Sequence, residues 1–218
     1  MSFIEIDLEK YPRRDHFDYF RTMAYPYVGV TVEVDVTEFV GAQKREGFPF
    51  FLSLLYCVGQ AANCVSQFRQ RIVGDTLIEY DRCDTSHVVM HEDETYSYCR
   101  LDCMKPFEEF LPEAVRKHEA AKTEPTELDD SDQLDLLYIS CVPWMHFTSV
   151  THPVPDRADS IPRITLGKYD VVNGRAKLPV SVQANHAVVD GLHLGRFFEE
   201  LETRMQLFAQ ERSREEKE

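Results

Sequence analysis

The residues best suited to chemistry lie near the C-terminus, in the stretch Leu178-Pro-Val-Ser-Val-Gln-Ala-Asn-His186-Ala-Val-Val-Asp190-Gly191. An apolar strand pattern runs into His186, and an Asp-Gly then opens a helical pattern from Leu192 to Leu201. A strand end fixes a side chain better than a loop does. An imidazole placed there titrates near neutrality and is suited to taking a proton from a hydroxyl or thiol and giving it back later. Asp190, four residues on, is placed to cap the helix or to hold something near the histidine. The residues alone leave a second reading open, since a histidine at a strand end equally serves as a hydrogen-bonded structural group.

These side chains need a scaffold, and the hydrophobic periodicity predicts a mixed α/β one. Residues 13–23 read as a helix with Phe17, Phe20 and Met23 on one face, and Gly29 to Val36 alternates as a strand. Pro49, tolerated in a first turn, opens the longest apolar helix, predicted from Phe50 to about Arg71. Val73 to Tyr80 reads as two short strands joined at the turn dipeptide Gly74-Asp75. Further strands are predicted near Ser86–Met90, Thr95–Leu101, Leu136–Val142, Arg163–Tyr169 and Lys177–Ala184. A second helix runs roughly from Pro106 to Lys122, with its charges on a solvated face. The acidic, Pro-containing stretch 123–132 reads as a loop, and the final helix frays from Arg212 to Glu218. No internal repeat is visible.

Composition narrows the partners. The chain has 218 residues, 43% of them hydrophobic, enough for one sizeable core and one domain spanning 1–218. Its 24 basic against 38 acidic residues give a net charge of −14, which argues against nucleic acid or an anionic membrane as the main partner. No N-terminal segment combines a basic start with an apolar stretch, and no run approaches the length of a membrane span. The cysteines, Cys57, Cys64, Cys83, Cys99, Cys103 and Cys141, lack the paired spacing of a zinc site. Free thiols in a reducing cytoplasm are expected. Cys99 and Cys103 with His87 and His91 suggest a metal cluster only weakly, because alternation places these residues in strands, so no metal is expected.

The segment His186-Ala-Val-Val-Asp190-Gly191 resembles the active-site signature of the chloramphenicol acetyltransferase family, His-His-Ala-Val-Cys-Asp-Gly-Phe-His. A bare His-x-x-x-Asp-Gly also occurs in the acyltransferase cores of 2-oxo acid dehydrogenase complexes, but here other pieces follow in family order along nearly the whole chain. Tyr11-Pro-Arg13-Arg14-Asp15-His16-Phe17 resembles Trp-x-Arg-Arg/Lys-Glu-His-Phe, and His91-Glu92-Asp93-Glu94-Thr95-Tyr96-Ser97 resembles His-Glu-x-x-Glu-Thr-Phe-Ser. Ile139-Ser140-Cys141-Val142-Pro143-Trp144 is similar to Val/Ile-Ser-Ala-x-Pro-Trp, and Ile164-Thr165-Leu166-Gly167-Lys168-Tyr169 to the family's Thr-Met-Gly/Ala-Lys-Tyr.

The resemblance implies a two-layer α/β sandwich with a mixed, largely antiparallel sheet and helices on one side. It also implies a homotrimer whose active sites lie between subunits, and acetyl transfer from acetyl-coenzyme A to a hydroxyl of chloramphenicol or a similar small molecule. In that pattern His186 is the general base and Ser140 the hydroxyl that stabilises the oxyanion. Asp190 pairs with Arg13, or with Arg14 if the register is one residue off, and supports the site's geometry. Thr165 contacts the reaction centre through water, and Lys168 and Tyr169 line the coenzyme side. Without the resemblance Ser140 is an ordinary strand serine, and Thr165 and Tyr169 are what β-propensity selects. Asn185 stands where the family has the first histidine of a His-His pair, the one that is not the base. Phe20 and Tyr96 keep aromatic character in the acceptor pocket, while Val150 and His152 replace Phe and Leu. An imidazole in place of an apolar wall changes what the pocket can desolvate, so the natural acceptor need not be chloramphenicol. Two other readings are a dihydrolipoamide acyltransferase-like core using a thiol acceptor, and a trimeric binding homologue without turnover. The first lacks a lipoyl domain and an Ala/Pro-rich linker in this sequence.

Overall fold

A computed structural model of the chain describes residues 1–123 and 133–214. The predicted loop at 123–132 lies outside the described residues except for Thr123, as do positions 215–218 of the predicted fraying end. The elements in chain order are β1 (Phe3–Glu5), α1 (Arg14–Phe20), β2 (Tyr27–Asp35), α2 (Thr37–Glu46), α3 (Phe50–Cys64) and β3 (Gln70–Val73). They continue with β4 (Thr76–Tyr80), β5 (Asp84–Met90), β6 (Tyr96–Leu101), α4 (Phe107–Ala121) and β7 (Leu136–Cys141). The last are β8 (Arg163–Leu166), β9 (Asp170–Val172), β10 (Arg175–Asn185) and α5 (Gly191–Arg214). A seven-stranded sheet runs in the order β2-β10-β8-β7-β5-β6, with β9 pairing β10 off that path, and a small sheet runs β1-β4-β3. The large sheet is mixed: β7 is parallel to both β5 and β8, and its other pairs are antiparallel.

The period-2 pattern of β10 explains its central place. Leu178, Val180, Val182 and Ala184 are at most 1% exposed and face the helices, while Ser181 and Gln183 point to the other side, as alternation requires. The pairing register extends each set across the sheet. Ile139, Ile164 and Val182 lie side by side on the helix face, and Ser140, Thr165, Ser181 and Thr31 form a hydroxyl row on the opposite face. Helices α2, α3, α4 and α5 contact strands of this sheet, and Phe39, Phe48, Phe107 and Phe208 interlock between helices with ring centroids 5.0–6.4 Å apart. The segment between β7 and β8 crosses the other face.

One predicted element ends early. The apolar helix does not reach Arg71: Val65 takes an extended conformation, a single 3₁₀ turn covers Ser66–Phe68, and Gln70–Val73 joins β4 as a strand. Beyond Cys64 only Val65 and Phe68 are apolar up to Arg71, and the buried Arg71 guanidinium donates to the carbonyls of Phe68, Gln70, Leu134 and Leu136, tying this stretch to the strand side of the fold. Periodicity also missed α2, whose short stretch ends in a left-handed Gly47 at φ 68°. The turn at Gly74-Asp75 does join β3 to β4, with Gly74 at φ 59°.

Candidate active site

His186 follows the last residue of β10 and is anchored by its own N–H, which donates to the Pro26 carbonyl at 2.7 Å. Its ring Nδ1 lies 2.8 Å from the Val189 carbonyl. A carbonyl only accepts, so Nδ1 carries the proton and Nε2 is left as the basic nitrogen. Phe20, at the end of α1, stacks on the imidazole with centroids 3.9 Å apart and ring planes at 28°. The ring is thus held in both tautomer and plane, as a general base requires.

Arg13 and Asp190 brace the same turn. Arg13 Nη1 is 3.2 Å from Asp190 Oδ2, and Nη2 donates to the His186 carbonyl over a long 3.5 Å. Burial pushes the Asp190 carboxyl up, but hydrogen bonding and charge from Arg13 outweigh it and leave the group below its ordinary value. Asp190 also starts α5, since its carbonyl accepts from the N–H groups of His193 and Leu194. Its own N–H donates to His193 Nδ1 at 2.9 Å, and burial, then Arg13 and Arg196, lower the His193 imidazole to about 4. That keeps His193 a neutral acceptor. Arg14 instead pairs with Asp18 at 3.6 Å. Asn185 holds the loop in front of the sheet: its amide donates to the Arg157 and Asp159 carbonyls, and its oxygen accepts from Ala187 N–H.

The remaining candidates lie elsewhere in the chain. Ser140 pairs with Thr165, which pairs with Ser181. That places Ser140 two strands across from β10, and His186 five residues along it. At about 4.8 Å per strand and 3.4 Å per residue, the two side chains are roughly 20 Å apart. Gly167 N–H donates to the Pro179 carbonyl, which sets Lys168 a comparable distance from His186 at the other end of β10. Lys168 is exposed, and Tyr169 packs on Phe50 at 5.3 Å.

Two cavities open on the sheet face away from the helices. One, of about 740 Å³, is lined by Ser140, His152, Tyr96, Tyr98, Tyr138 and Arg163 among others. The other, of about 250 Å³, is lined by Tyr25, Tyr27, Thr31, Val150, Ser181 and Gln183 among others. The expected acceptor-pocket residues are therefore divided within one chain: Phe20 stays with His186, Tyr96 and His152 join Ser140, and Val150 falls in the smaller cavity. Of the suspected metal residues, His87 and Cys99 stand opposite each other in the β5–β6 pairing, but among the described residues no three His, Cys, Asp or Glu side chains gather at one point. His87 faces the helices and meets His118, with Nε2 3.0 Å from Nδ1, and His91 binds the Ala121 carbonyl. The sequence reading missed the Val189 carbonyl, His193 and Gln183. Only Gln183 left a trace in the sequence, as a polar residue at an outward position of a strand whose alternate residues are apolar.

A family model described as "Chloramphenicol acetyltransferase" matches residues 1–202. Chloramphenicol acetyltransferase 3 of Escherichia coli is 29% identical over 209 residues, covering 93% of this chain and 96% of that protein. Chloramphenicol acetyltransferase 2 of the same organism is 31% identical over 208 residues, with the same coverage. A solved structure named chloramphenicol acetyltransferase superposes with a TM-score of 0.83 at 27% identity, covering 94% of this chain and all of the other.

Proposed function

The chain belongs to the chloramphenicol acetyltransferase family, and from that premise we propose that it is an acetyl-coenzyme A-dependent O-acetyltransferase acting on chloramphenicol or a similar small hydroxylated acceptor. The observation that carries the reading is the His186 imidazole with Nδ1–H spent on the Val189 carbonyl, which leaves Nε2 as the nitrogen that can act as the base. His186 takes the acceptor's hydroxyl proton as that oxygen attacks the thioester carbonyl. A C–O bond forms, the C–S bond breaks, and the imidazolium returns the proton to the departing thiolate. General base catalysis of this kind contributes about 10²–10⁴ in rate. The Ser140 hydroxyl donates to the oxyanion that forms between the two steps.

Both groups must reach one carbonyl, and within a chain they stand roughly 20 Å apart on the strand spacing. We therefore read the working enzyme as a closed homotrimer in which His186 of one copy faces Ser140 and the 740 Å³ cavity of its neighbour. Each chain, 1–218, acts as one domain. The same juxtaposition brings Lys168 and Tyr169 of the neighbour to the side where the coenzyme would lie. The exposed Lys168 amine, with no partner among the described residues, suits its phosphates as a local cation in a chain of net charge −14. Arg13, Asp190 and Asn185 position the base and do not touch the reacting atoms. The cysteines are all free, which supports a reducing, cytoplasmic setting.

Thiol release from acetyl-coenzyme A, measured with and without chloramphenicol, tests the reading. Drug-dependent release that disappears in His186→Ala supports it. Undiminished release in the variant removes His186 as the base, and the absence of release with the drug removes chloramphenicol as the acceptor.

A further inference from the structure

An imidazole that the proposed mechanism does not use is clamped over the open sheet face. His152 lies in the segment joining β7 to β8, and Gln183 holds its backbone from both sides. The His152 N–H donates to Oε1 at 2.9 Å, and its carbonyl accepts from Nε2 at 3.2 Å. With the backbone fixed, the ring's Nε2 meets Thr165 Oγ1 at 2.5 Å. Thr165 is 1% exposed, so its hydroxyl sits under the ring and is consumed there. His152, not Thr165, forms the wall of the 740 Å³ cavity beside Ser140.

The other ring nitrogen, Nδ1, has no partner among the described residues and is not among the sealed, unpartnered polar atoms. Burial, then the Arg163 charge, holds the imidazole below its ordinary value, which favours the neutral ring. When Thr165 donates to Nε2, Nδ1 bears the proton and donates to the cavity. When Nε2–H donates to Thr165, Nδ1 accepts. A hydroxyl satisfies either tautomer, whereas an apolar arm leaves the nitrogen unpaired in both.

We propose that His152, backed by Thr165, is a specificity-determining residue whose Nδ1 binds a second hydroxyl of the acceptor, not the one that is acetylated, so that the pocket selects diols or polyols. The proposal rests on the acetyl-transfer reading of this site. A pocket built to hydrogen-bond a group discriminates strongly against the analogue that lacks it.

The test compares chloramphenicol, which carries two hydroxyls, with its analogue lacking the hydroxyl that is not acetylated. The readout is the ratio of kcat/KM for the two acceptors, a quantity that a general loss of stability would not change. Wild type is expected to prefer the diol by about tenfold or more, His152→Leu by less than about twofold, and His152→Gln by an intermediate factor. An equal ratio in wild type and His152→Leu overturns the proposal. Should His152→Leu fail to fold, Thr165→Val leaves the Gln183 clamp in place and is expected to narrow the ratio and shift the His152 ring ¹⁵N signals. Unmoved signals and an unchanged ratio overturn the pairing. If wild type releases no thiol with either acceptor, chloramphenicol is removed as the acceptor separately, and the His152 Nδ1 signal then decides the inference. A shift on adding the diol but not its deoxy analogue supports it, and equal shifts or none refute it.

Discussion

Breaking the Arg13–Asp190 pair should cost the enzyme stability and rate together. The pair spans 3.2 Å, with the arginine side chain 18% exposed and the aspartate 39%. An exposed ion pair contributes about 0.2–1 kcal/mol, and removing one partner of a fully buried pair costs about 3–5 kcal/mol. Asp190 is more than a third exposed, which screens the attraction, but Arg13 Nε is already sealed without a partner and the guanidinium's bond to the His186 carbonyl is a long 3.5 Å. The loss on Asp190→Ala should therefore fall between the exposed and the buried case, about 1–2 kcal/mol. A double-mutant cycle with Arg13→Ala, read by urea unfolding, should give a coupling of about 1 kcal/mol. The Asp190 carboxyl lies below its ordinary value in the fold. Its contribution is therefore complete above the unfolded pKa of about 3.9 and is lost as pH falls through the lower folded value. In kcat the cost should be about tenfold or more, because Arg13 also reaches the His186 carbonyl and small misplacements of a catalytic group are expensive. Strict additivity of the two substitutions in both stability and kcat would refute the argument that the pair acts as a unit.

Two further outcomes follow from individual side chains. Ser140→Ala should lower kcat by about 10²–10³ with little change in KM for the acceptor, checked by steady-state kinetics; a change confined to KM would mean that Ser140 binds the acceptor instead. His87, fully buried and held near 3 by burial and then by its neighbour His118, binds fewer protons folded than unfolded. Stability should fall as pH drops from about 6.5 toward 3, and His87→Leu should flatten that slope in acid unfolding curves; an unchanged slope would assign it to other groups.

The site was legible in the sequence to the extent that it is local. His186 and Asp190 stand four residues apart at a strand-to-helix junction that periodicity alone places, and the alternation of β10 fixes which of its residues face the helices. Pairings across the chain were not legible from the residues by themselves. Arg13 and Asp190 are separated by 177 positions, and only the family resemblance joined them. The end of α3 was misread because a buried guanidinium, whose partners lie on other elements, decides it. Periodicity carries no record of such contacts. His152 stood out through the family resemblance as an imidazole where an apolar side chain was expected, but its bond to Thr165 depends on Gln183, thirty-one positions away, holding the backbone in place.

The central claim is that the base and the oxyanion-binding hydroxyl of one site come from different copies of the chain, and subunit mixing tests it most directly. His186→Ala and Ser140→Ala proteins, each nearly inactive, are unfolded together in equal amounts and refolded. In a closed ring with random assembly, roughly one interface in four joins an intact His186 to an intact Ser140, so about a quarter of wild-type activity should return. Activity no higher than that of the separate variants, in an assembly shown to contain both chains, would contradict the claim and require both groups to act from a single chain.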